Sequence, residues 1–401
     1  MGKNENIVTN ANKSGHEKRN VPTLRFRQFR DDWSIKRLSD IAEVVGGGTP
    51  DTTDSTLWNG DIQWFTPTEV GHSKYVSSSI RTISQLGLKK SSAKKLPAGS
   101  ILLSSRATVG ECSIAQRDCT TNQGFQNLIP KKSVYNEFLY YLTQTKKRHF
   151  VKYASGSTFL EISNSEIKKA ICAIPDIEEQ TEIATFLSAI DMRIEVQNKI
   201  IEDLKILKKE LCNKVFSKGS FVRLGVLIEE VTTRNKFNAY DNVLSVSNKM
   251  GFIKQSEQFE DRTVASENKS NYKVVTEGCF AYNPARINVG SIALLSTYKI
   301  GIISPMYVCF KTKSSLDSEY LNFYFQSNVF YKELQQKLEG SVRQCLTYEN
   351  MCEIRIPYVS IEEEKEIATV LKKFVTMIAT EEKYLKVLQK QKSYFLNAMF
   401  I

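Results

Sequence analysis

Two long stretches of the chain, residues 177–216 and 361–400, carry apolar residues at alternating spacings of four and three. This heptad pattern is typical of an α-helix that packs along one seam in a coiled coil. A helix of that length would be a rod of about 60 Å. The apolar seam residues, which we predict to pair the helices, are Ile183, Leu187, Ile190, Ile194, Ile201, Leu204 and Leu211 in the first stretch and Ile367, Leu371, Phe374, Ile378, Leu385, Leu388 and Phe395 in the second.

The second stretch repeats the first at a constant offset of 184 positions. Both begin with Ile-Glu-Glu, both continue with Glu-Ile-Ala-Thr, and both close on Asn-x-x-Phe. The polar interruptions of the seam also correspond, Gln197 with Glu381 and Lys208 with Lys392. We interpret the pattern as an internal duplication whose two helices pair with each other in one register. The alternative is that each apolar stripe packs only on its own globule.

The segments that precede the helices correspond more loosely. Short matched anchors are separated by divergent stretches, as two readers of different targets would need; the anchors are residues 35–43 with 221–229, 106–110 with 286–290, and 137–141 with 319–323. Short β-type runs such as residues 100–103 and 300–310, broken by Gly, Ser, Asn and Pro, predict mixed α/β globules.

The predicted fold class is α/β, with two mixed α/β domains separated by a pair of long antiparallel coiled-coil helices in a pseudo-two-fold internal repeat. Only residues 217–220 join the first helix to the second globule, so connectivity predicts globules at opposite ends of the rod. The predicted divisions are a disordered tail at 1–20, a first domain at 21–176, a central helix at 177–216, a second domain at 221–358 and a C-terminal helix at 361–401.

Composition excludes several classes of protein. No apolar run approaches the roughly 20 residues that a membrane helix needs, and the first twenty residues lack the apolar core of a secretory signal. The eight cysteines form no Cys-x-x-Cys pair and there are only three histidines, so we expect no metal site, reduced thiols and a cytoplasmic location. A net charge of +11 favours a polyanionic partner, although lysine-rich surfaces also serve solubility.

Several features together resemble the specificity subunits of type I restriction-modification systems, from about residue 21 to residue 401. They are the opening segment 21–42, the Arg-x-x-Val-Gly signatures, the proline-then-acidic helix entries at 175–184 and 357–368, and the paired helices. The resemblance implies two target-recognition domains, each of which reads half of a bipartite double-stranded DNA site. It also implies that the helices dock two methyltransferase subunits, and that restriction/translocase subunits join this core. S-adenosylmethionine, ATP and Mg²⁺ are then expected on partner subunits, with no cofactor on this chain.

The candidate DNA-contacting residues are chosen for their chemistry. Arg106, Arg286 and Arg343 have the donor geometry for guanine, with a phosphate clamp or a surface ion pair as the alternative. Amide side chains suit adenine, although a turn role is an equal alternative for Asn122. Exposed lysines and arginines suit phosphates, or form an ordinary solvated face. The remaining candidates are Thr66, Lys94, Lys95, Thr108, Gln123, Ser157, Arg234, Lys236, Asn283, Asn288 and Gln344. The loop 46–50, followed by Trp58 and Trp64, predicts a loop beside an aromatic wall that either approaches DNA or caps a core, and core packing is the better interpretation for Trp64.

Enzyme interpretations fail on chemistry. An amino-methyltransferase needs an Asn/Asp-Pro-Pro-aromatic pocket, and the nearest match, residues 283–286, lacks the second proline and the aromatic. No Gly-x-x-x-x-Gly-Lys-Ser/Thr loop is present for ATP. We therefore predict a non-catalytic recognition subunit. Two alternatives stay open, a coiled-coil adaptor that binds protein, and a specificity subunit that serves a fused methyltransferase-nuclease.

Overall fold

The computed structural model describes residues 7–9, 20–156, 160–248, 250–258, 268–339 and 344–401. The chain folds as two units, which are described separately below. Unit 1 comprises residues 1–196 and 385–401, and unit 2 comprises residues 197–384. Each unit therefore contains one globule and part of both long helices.

Most of the segment 1–20, predicted to be a disordered tail, lies outside the described residues, but residues 7–9 form a strand. The strands of unit 1 are β1 (Ile7–Thr9), β2 (Leu24–Phe26), β3 (Ser34–Arg37), β4 (Ala42–Gly46), β5 (Trp58–Phe65), β6 (Tyr75–Val76), β7 (Arg81–Ile83), β8 (Ile101–Leu103), β9 (Cys112–Ala115), β10 (Cys119–Thr121), β11 (Gln126–Pro130) and β12 (Ile171–Ile174). Its helices are α1 (Leu38–Ile41), α2 (Gln85–Lys89), α3 (Asn136–Thr145), α4 (Lys147–Tyr153), α5 (Asn164–Lys169) and the first half of α6 (Ile177–Phe216).

Unit 2 continues α6 and follows a similar order. Its strands are β13 (Ser220–Arg223), β14 (Ile228–Glu230), β15 (Val243–Ser247), β16 (Gly251–Lys254), β17 (Lys273–Thr276), β18 (Cys279–Tyr282), β19 (Ile292–Leu294), β20 (Ile300–Ile303), β21 (Val308–Thr312) and β22 (Arg355–Tyr358). Its helices are α7 (Gln255–Gln258), α8 (Ser318–Tyr324), α9 (Asn328–Lys337), α10 (Tyr348–Glu353) and most of α11 (Ile361–Ala398), whose end belongs to unit 1.

The sheets give both globules a mixed α/β architecture. Unit 1 has a five-stranded sheet in the order β4-β11-β8-β9-β6 and a three-stranded sheet β10-β5-β7, whereas unit 2 has two four-stranded sheets, β14-β21-β18-β19 and β16-β15-β20-β17. A small antiparallel pair stands before each long helix, β3 with β12 in unit 1 and β13 with β22 in unit 2. The predicted α/β class and internal repeat are confirmed.

The long helices complete the core of each unit. In unit 1 the buried Leu187 of α6 shares a core with Phe400, which follows α11 and stacks on Phe138 of α3 at 5.2 Å. In unit 2 Phe216, at the end of α6, packs against Tyr320 of α8 at 4.9 Å between ring centroids, in the core that also holds Leu371 of α11. Apolar burial of this kind is the main stabilising contribution to such cores.

The helices also contact each other, and they run antiparallel within each unit. In unit 1, Phe186 packs edge-on against Phe395 at 4.9 Å, and Asp191 forms an ion pair with Lys392 at 2.7 Å. In unit 2 the helices are in contact at one end through Gln197 and Glu381. At the other end, residues 211–216 of α6 share a core with residues 367–371 of α11. The predicted helix pairing is confirmed, and the stripes pack on the globules as well. In the described part of the chain no helix is long and apolar enough to cross a membrane.

Candidate nucleic-acid interface

The Arg106 loop of unit 1 lies beside the turn at residues 122–124. Strand β8 ends at Leu103, after which Ser105 N donates to Gly124 O at 2.9 Å and Ser105 O accepts from Ile162 N at 2.9 Å. These backbone bonds hold Arg106 at the surface, where its Nε lies 3.8 Å from Glu161 Oε2 with both side chains about half exposed (48% and 49%). An ion pair this long and exposed is weak. The guanidinium can therefore exchange Glu161 for another acceptor.

The other polar candidates of this cluster differ in how far their side chains are already used. Asn122 Oδ1 accepts from Gly124 N at 2.8 Å, which is the turn role that the sequence left open. Thr66 caps a short 3₁₀ turn, and its hydroxyl donates to Glu69 Oε2 at 2.7 Å. Thr108 Oγ1 bonds Ser104 Oγ at 3.0 Å. Gln123 is exposed, and its side-chain oxygen accepts from the Thr49 hydroxyl. Thr49 lies in the loop 46–50, but it was not among the candidate residues.

The glycine-rich loop at 46–50 packs against this turn. A side chain at Gly47 would place its Cβ 1.9 Å from Asn122 O, so only glycine fits there. Trp64 is 4% exposed and donates from Nε1 to Gly48 O at 2.8 Å. Trp64 thus belongs to the core, as expected, and the loop is held between the tryptophan and the 122–124 turn.

The basic candidates of unit 1 lie on its surface. Lys94 is exposed, and Lys95 forms an ion pair with Asp118 at 2.9 Å in which both side chains are more than half exposed. Exposed lysines of this kind suit phosphate contacts that set affinity without reading sequence.

In unit 2 the Arg286 loop follows strand β18. Asn283 is buried, and its Oδ1 accepts from Ala285 N at 3.1 Å, so its side chain shapes the loop. Arg286 is exposed, and among the described residues its side chain has no hydrogen-bond or ion-pair partner. Asn288 is half buried in the same loop, and Leu346 N donates to Pro284 O at 3.1 Å, two residues after the exposed Gln344. The structure therefore places Asn283, Arg286 and Asn288 in one loop.

The two arginine loops are similar but differ in length. Each loop starts at a backbone carbonyl that accepts a hydrogen bond, Ser105 O from Ile162 N in unit 1 and Pro284 O from Leu346 N in unit 2. Each loop ends at a glycine in the left-handed region, Gly110 at φ +88° and Gly290 at φ +87°. Counted from the glycine, the arginines hold the same place. Counted from the carbonyl, Arg106 follows at once whereas Arg286 comes one residue later, so the loops present their guanidinium groups differently.

A second basic segment of unit 2 contains Arg234 and Lys236, both exposed. Arg234 Nη1 donates to Asn271 O at 2.8 Å. Between Lys236 and Asn238 lies Phe237, a residue that the sequence analysis missed, which is 97% exposed. Two further candidates, Ser157 and Arg343, lie outside the described residues.

The predicted seam is buried or half buried at every apolar position. The most enclosed residues are Ile183, Leu187, Leu371 and Leu388, each at most 2% exposed. The two corresponding lysines of the seam each place their ammonium group near an aromatic ring of their own unit. Lys392 lies 5.8 Å from the ring of Tyr141, and Lys208 lies 5.9 Å from the ring of Phe323.

Comparison with known proteins identifies the repeated domain. Residues 30–205 and 230–390 match the family model of the type I restriction modification DNA specificity domain. The chain is 42% identical over 189 residues to the type I restriction enzyme MjaIX specificity subunit of Methanocaldococcus jannaschii, a match that covers 46% of this chain and 44% of that protein. It is 27% identical over 188 residues to the EcoR124I/EcoR124II specificity subunit of Escherichia coli, covering 45% of each. These two matches thus span less than half of either relative.

A third relative matches end to end. The putative MjaX specificity subunit of Methanocaldococcus jannaschii is 25% identical over 422 residues, which is 96% of both chains. Among solved structures, the S subunit of a type I restriction-modification system from M. genitalium aligns with a TM-score of 0.56 at 14% identity, over 95% of this chain and 99% of that chain. A chain from a study of assembly and conformational transition of the type I R-M system aligns with a TM-score of 0.58 at 15% identity, over 91% and 96%. At these identities the structural likeness shows the fold.

Proposed function

This chain belongs to the type I restriction modification DNA specificity family and carries the domain twice, and from this premise we propose that each unit reads one half of a bipartite site in double-stranded DNA. The observation that carries the proposal is the pair of arginine loops. They share a backbone framework and differ in length and in the polar side chains that accompany them, Gln123 in unit 1 and Asn288 in unit 2. A shared framework with different donors and acceptors is what two readers of different sequences require.

The chemistry of the loops supports a division of roles. Arg106 and Arg286 present guanidinium groups that suit bidentate bonding to guanine O6 and N7. Lys94, Lys95, Arg234 and Lys236 are exposed cations that suit phosphates, and the net charge of +11 adds long-range attraction. We assign Asn122, Thr66 and Asn283 to shaping the backbone, because the side-chain oxygen atom of each is hydrogen-bonded within its own turn.

The partner roles belong to the same proposal. The helices dock two methyltransferase subunits, restriction/translocase subunits join that complex, and the chain itself acts in the cytoplasm without catalysis. S-adenosylmethionine, ATP and Mg²⁺ are then bound by those partners. The adaptor alternative is not favoured, because each relative named above is a specificity subunit. A fused methyltransferase-nuclease partner differs only in how the activities are distributed among chains, and a requirement for a separate translocating ATPase would distinguish the two.

The decisive experiment is to co-express the chain with the methyltransferase subunit encoded beside it and to map methylated adenines by single-molecule sequencing. The control omits the chain. We expect methylation at a split motif only when the chain is present. If the methyltransferase is active but its methylation does not depend on the chain, the proposal is contradicted and the adaptor interpretation is favoured.

A further inference from the structure

Phe237 is the most exposed large apolar side chain of the described residues, at 97%. Its backbone lies in the left-handed region, with φ 59° and ψ 18°, and Asn238 follows at φ 52°. A bulky residue seldom adopts this conformation, because its Cβ crowds the backbone, and such strain persists only where the surrounding structure imposes it. The exposed side chain and the left-handed backbone of Phe237 therefore both cost free energy.

The loop that carries Phe237 is held by a buried asparagine. Asn235 is 1% exposed; its Oδ1 accepts from Tyr240 N at 3.0 Å and its Nδ2 donates to Tyr240 O at 2.9 Å. Its backbone N donates to Tyr272 O at 2.9 Å, which ties the loop to the start of β17. On the far side of the tip, Lys269 N donates to Asn238 Oδ1 at 3.2 Å. These bonds fix both ends of the turn, so Phe237 projects from a preorganised loop.

The segment that carries the tip is positively charged. Residues 234–240 contain Arg234 and Lys236 and no acid, and the following Asp241 is paired with Lys269 at 3.4 Å. An apolar side chain between exposed cations matches a duplex, in which the base stack is apolar and the flanking phosphates are anionic. Proteins that bend DNA insert such wedges, Phe among them, between base steps. An apolar pocket of a protein partner would not by itself account for the cations.

The corresponding segment of unit 1 has no aromatic residue. Counted from the matched anchors Glu43 and Glu229, the position of Phe237 corresponds to Asp51, which follows the glycine-rich loop and Pro50. Asp51 bonds the Thr53 hydroxyl at 2.7 Å and so serves its own turn. Any distortion caused by Phe237 would then be confined to one half-site.

We propose that Phe237 is a wedge that enters the base stack of the half-site read by unit 2, with Lys236 and Arg234 on the adjacent phosphates. This inference rests on the proposed function, because it needs a DNA site that unit 2 reads. The wedge would let unit 2 recognise the deformability of the DNA in addition to its base edges, because base steps that unstack at low cost would be preferred next to the contacted bases.

The test uses the chain in complex with its methyltransferase and a duplex that contains the mapped methylation motif. 2-Aminopurine is placed at successive steps of each half-site, because its fluorescence rises when it is unstacked. The methylated adenines and the steps next to them are left out, because a methyltransferase extrudes its target base from the stack. At the remaining steps we expect wild type to raise the fluorescence in one half-site only. Phe237→Ala should abolish that rise and weaken binding about 10-fold, the scale of one lost stacking contact. Phe237→Trp should retain both.

Two control variants separate the wedge from general surface effects. Met306→Ala removes another exposed apolar side chain of unit 2, 59% exposed, and should change nothing. Lys236→Ala should weaken binding and lower the salt dependence by about one ion while the fluorescence rise remains. Unchanged fluorescence in Phe237→Ala, with chain-dependent methylation intact, would overturn the wedge alone. A loss of methyltransferase binding in Phe237→Ala would instead identify a protein contact and also overturn it. Absence of chain-dependent methylation in wild type would overturn the proposed function itself.

Discussion

Gln197 and Glu381 occupy equivalent positions of the internal repeat, and they are bonded to each other, with 2.6 Å between Gln197 Nε2 and Glu381 Oε2. Gln197 is only 4% exposed, so this polar pair interrupts the apolar seam, as Lys208 and Lys392 do at another position of the repeat. A buried polar pair that is satisfied in one alignment alone specifies the register of two helices, at some cost in stability. The pair therefore marks the register in which α6 and α11 meet in unit 2.

Changing Gln197 should test that role. Gln197→Ala leaves the Glu381 carboxylate without its donor, and we expect the free energy of unfolding to fall by about 1 to 3 kcal/mol. Gln197→Glu should cost more at pH 8, because two carboxylates then face each other, and should recover toward pH 4 as they protonate. Urea denaturation at both pH values measures this. Equal losses for the two variants at pH 8 would contradict it.

A second relationship compares two equivalent lysines. In unit 1, Lys392 Nζ lies 2.7 Å from Asp191 Oδ1, and Tyr141 OH donates to Asp191 Oδ2 at 2.6 Å. In unit 2, the position equivalent to Asp191 is Val375, which lines a cavity of about 410 Å³ together with Lys208. Among the described residues Lys208 has no carboxylate partner; its Nζ donates to Gln326 Oε1 at 3.0 Å, and burial lowers its pKa.

We therefore expect Val375→Asp to stabilise the protein. The new carboxylate would form an ion pair with the Lys208 ammonium and raise the pKa of Lys208. The free energy of unfolding should rise by only about 0.5 to 1 kcal/mol, because the cavity stays partly open to solvent. Asp191→Val should do the reverse in unit 1 and cost about 3 kcal/mol, since it leaves Lys392 partly buried without a partner. Thermal and urea unfolding would measure both. A destabilising Val375→Asp would show that Lys208 is already well solvated.

Glu364 is the acid at the position where unit 1 has Gln180. Gln180 Oε1 accepts from Tyr135 N at 2.9 Å, and its Nε2 donates to Pro175 O at 2.9 Å. Glu364 Oε2 likewise accepts from Asp317 N at 2.7 Å, but within the described part of the chain its buried Oε1 has no hydrogen-bond partner. Burial raises the pKa of Glu364 to about 7, and the Asp317 charge adds to that shift.

The raised pKa gives a signed pH dependence. Above pH 4.5, the ordinary pKa of a glutamate, the unfolded state has released the Glu364 proton, whereas the folded state keeps it up to about pH 7. The free energy of unfolding should therefore fall as the pH rises from 4.5 to about 7 and stay level beyond. Glu364→Gln restores the donor seen in Gln180, and we expect it to raise the free energy of unfolding by about 1 to 3 kcal/mol at pH 8 and by little at pH 5. Gln180→Glu is the matched control, and it should create the same dependence in unit 1. A gain for Glu364→Gln that is equal at both pH values would contradict this account.

The helices were predictable because a heptad is a local, periodic signal. The predicted 177–216 helix is the observed Ile177–Phe216, and the second helix ends at Ala398, three residues before its predicted end at 401, because Phe400 turns into the unit 1 core. The loop side chains were harder to predict. Whether Asn122 faces a base or its own turn depends on a Gly124 amide that only the folded loop presents. The exposure of Phe237 depends on how Asn235 bonds Tyr240, which residue types alone do not specify.

The arginines offer the most direct test of the two-reader proposal. Arg286 has no side-chain partner among the described residues, whereas Arg106 is paired at 3.8 Å with Glu161. Arg286→Ala should therefore relax one base position in one half of the methylation motif, with a loss of about 1 to 3 kcal/mol of discrimination. Arg106→Ala should relax the other half, and Glu161→Ala should leave the motif intact while strengthening binding. The readout is the methylated motif from single-molecule sequencing, with the methyltransferase subunit that remains bound as the assembly control. Lys94→Ala is the comparison for a phosphate contact, and it should weaken methylation at every site without changing the motif. Relaxation of both halves by one arginine variant would mean that the two units do not read separate sequences.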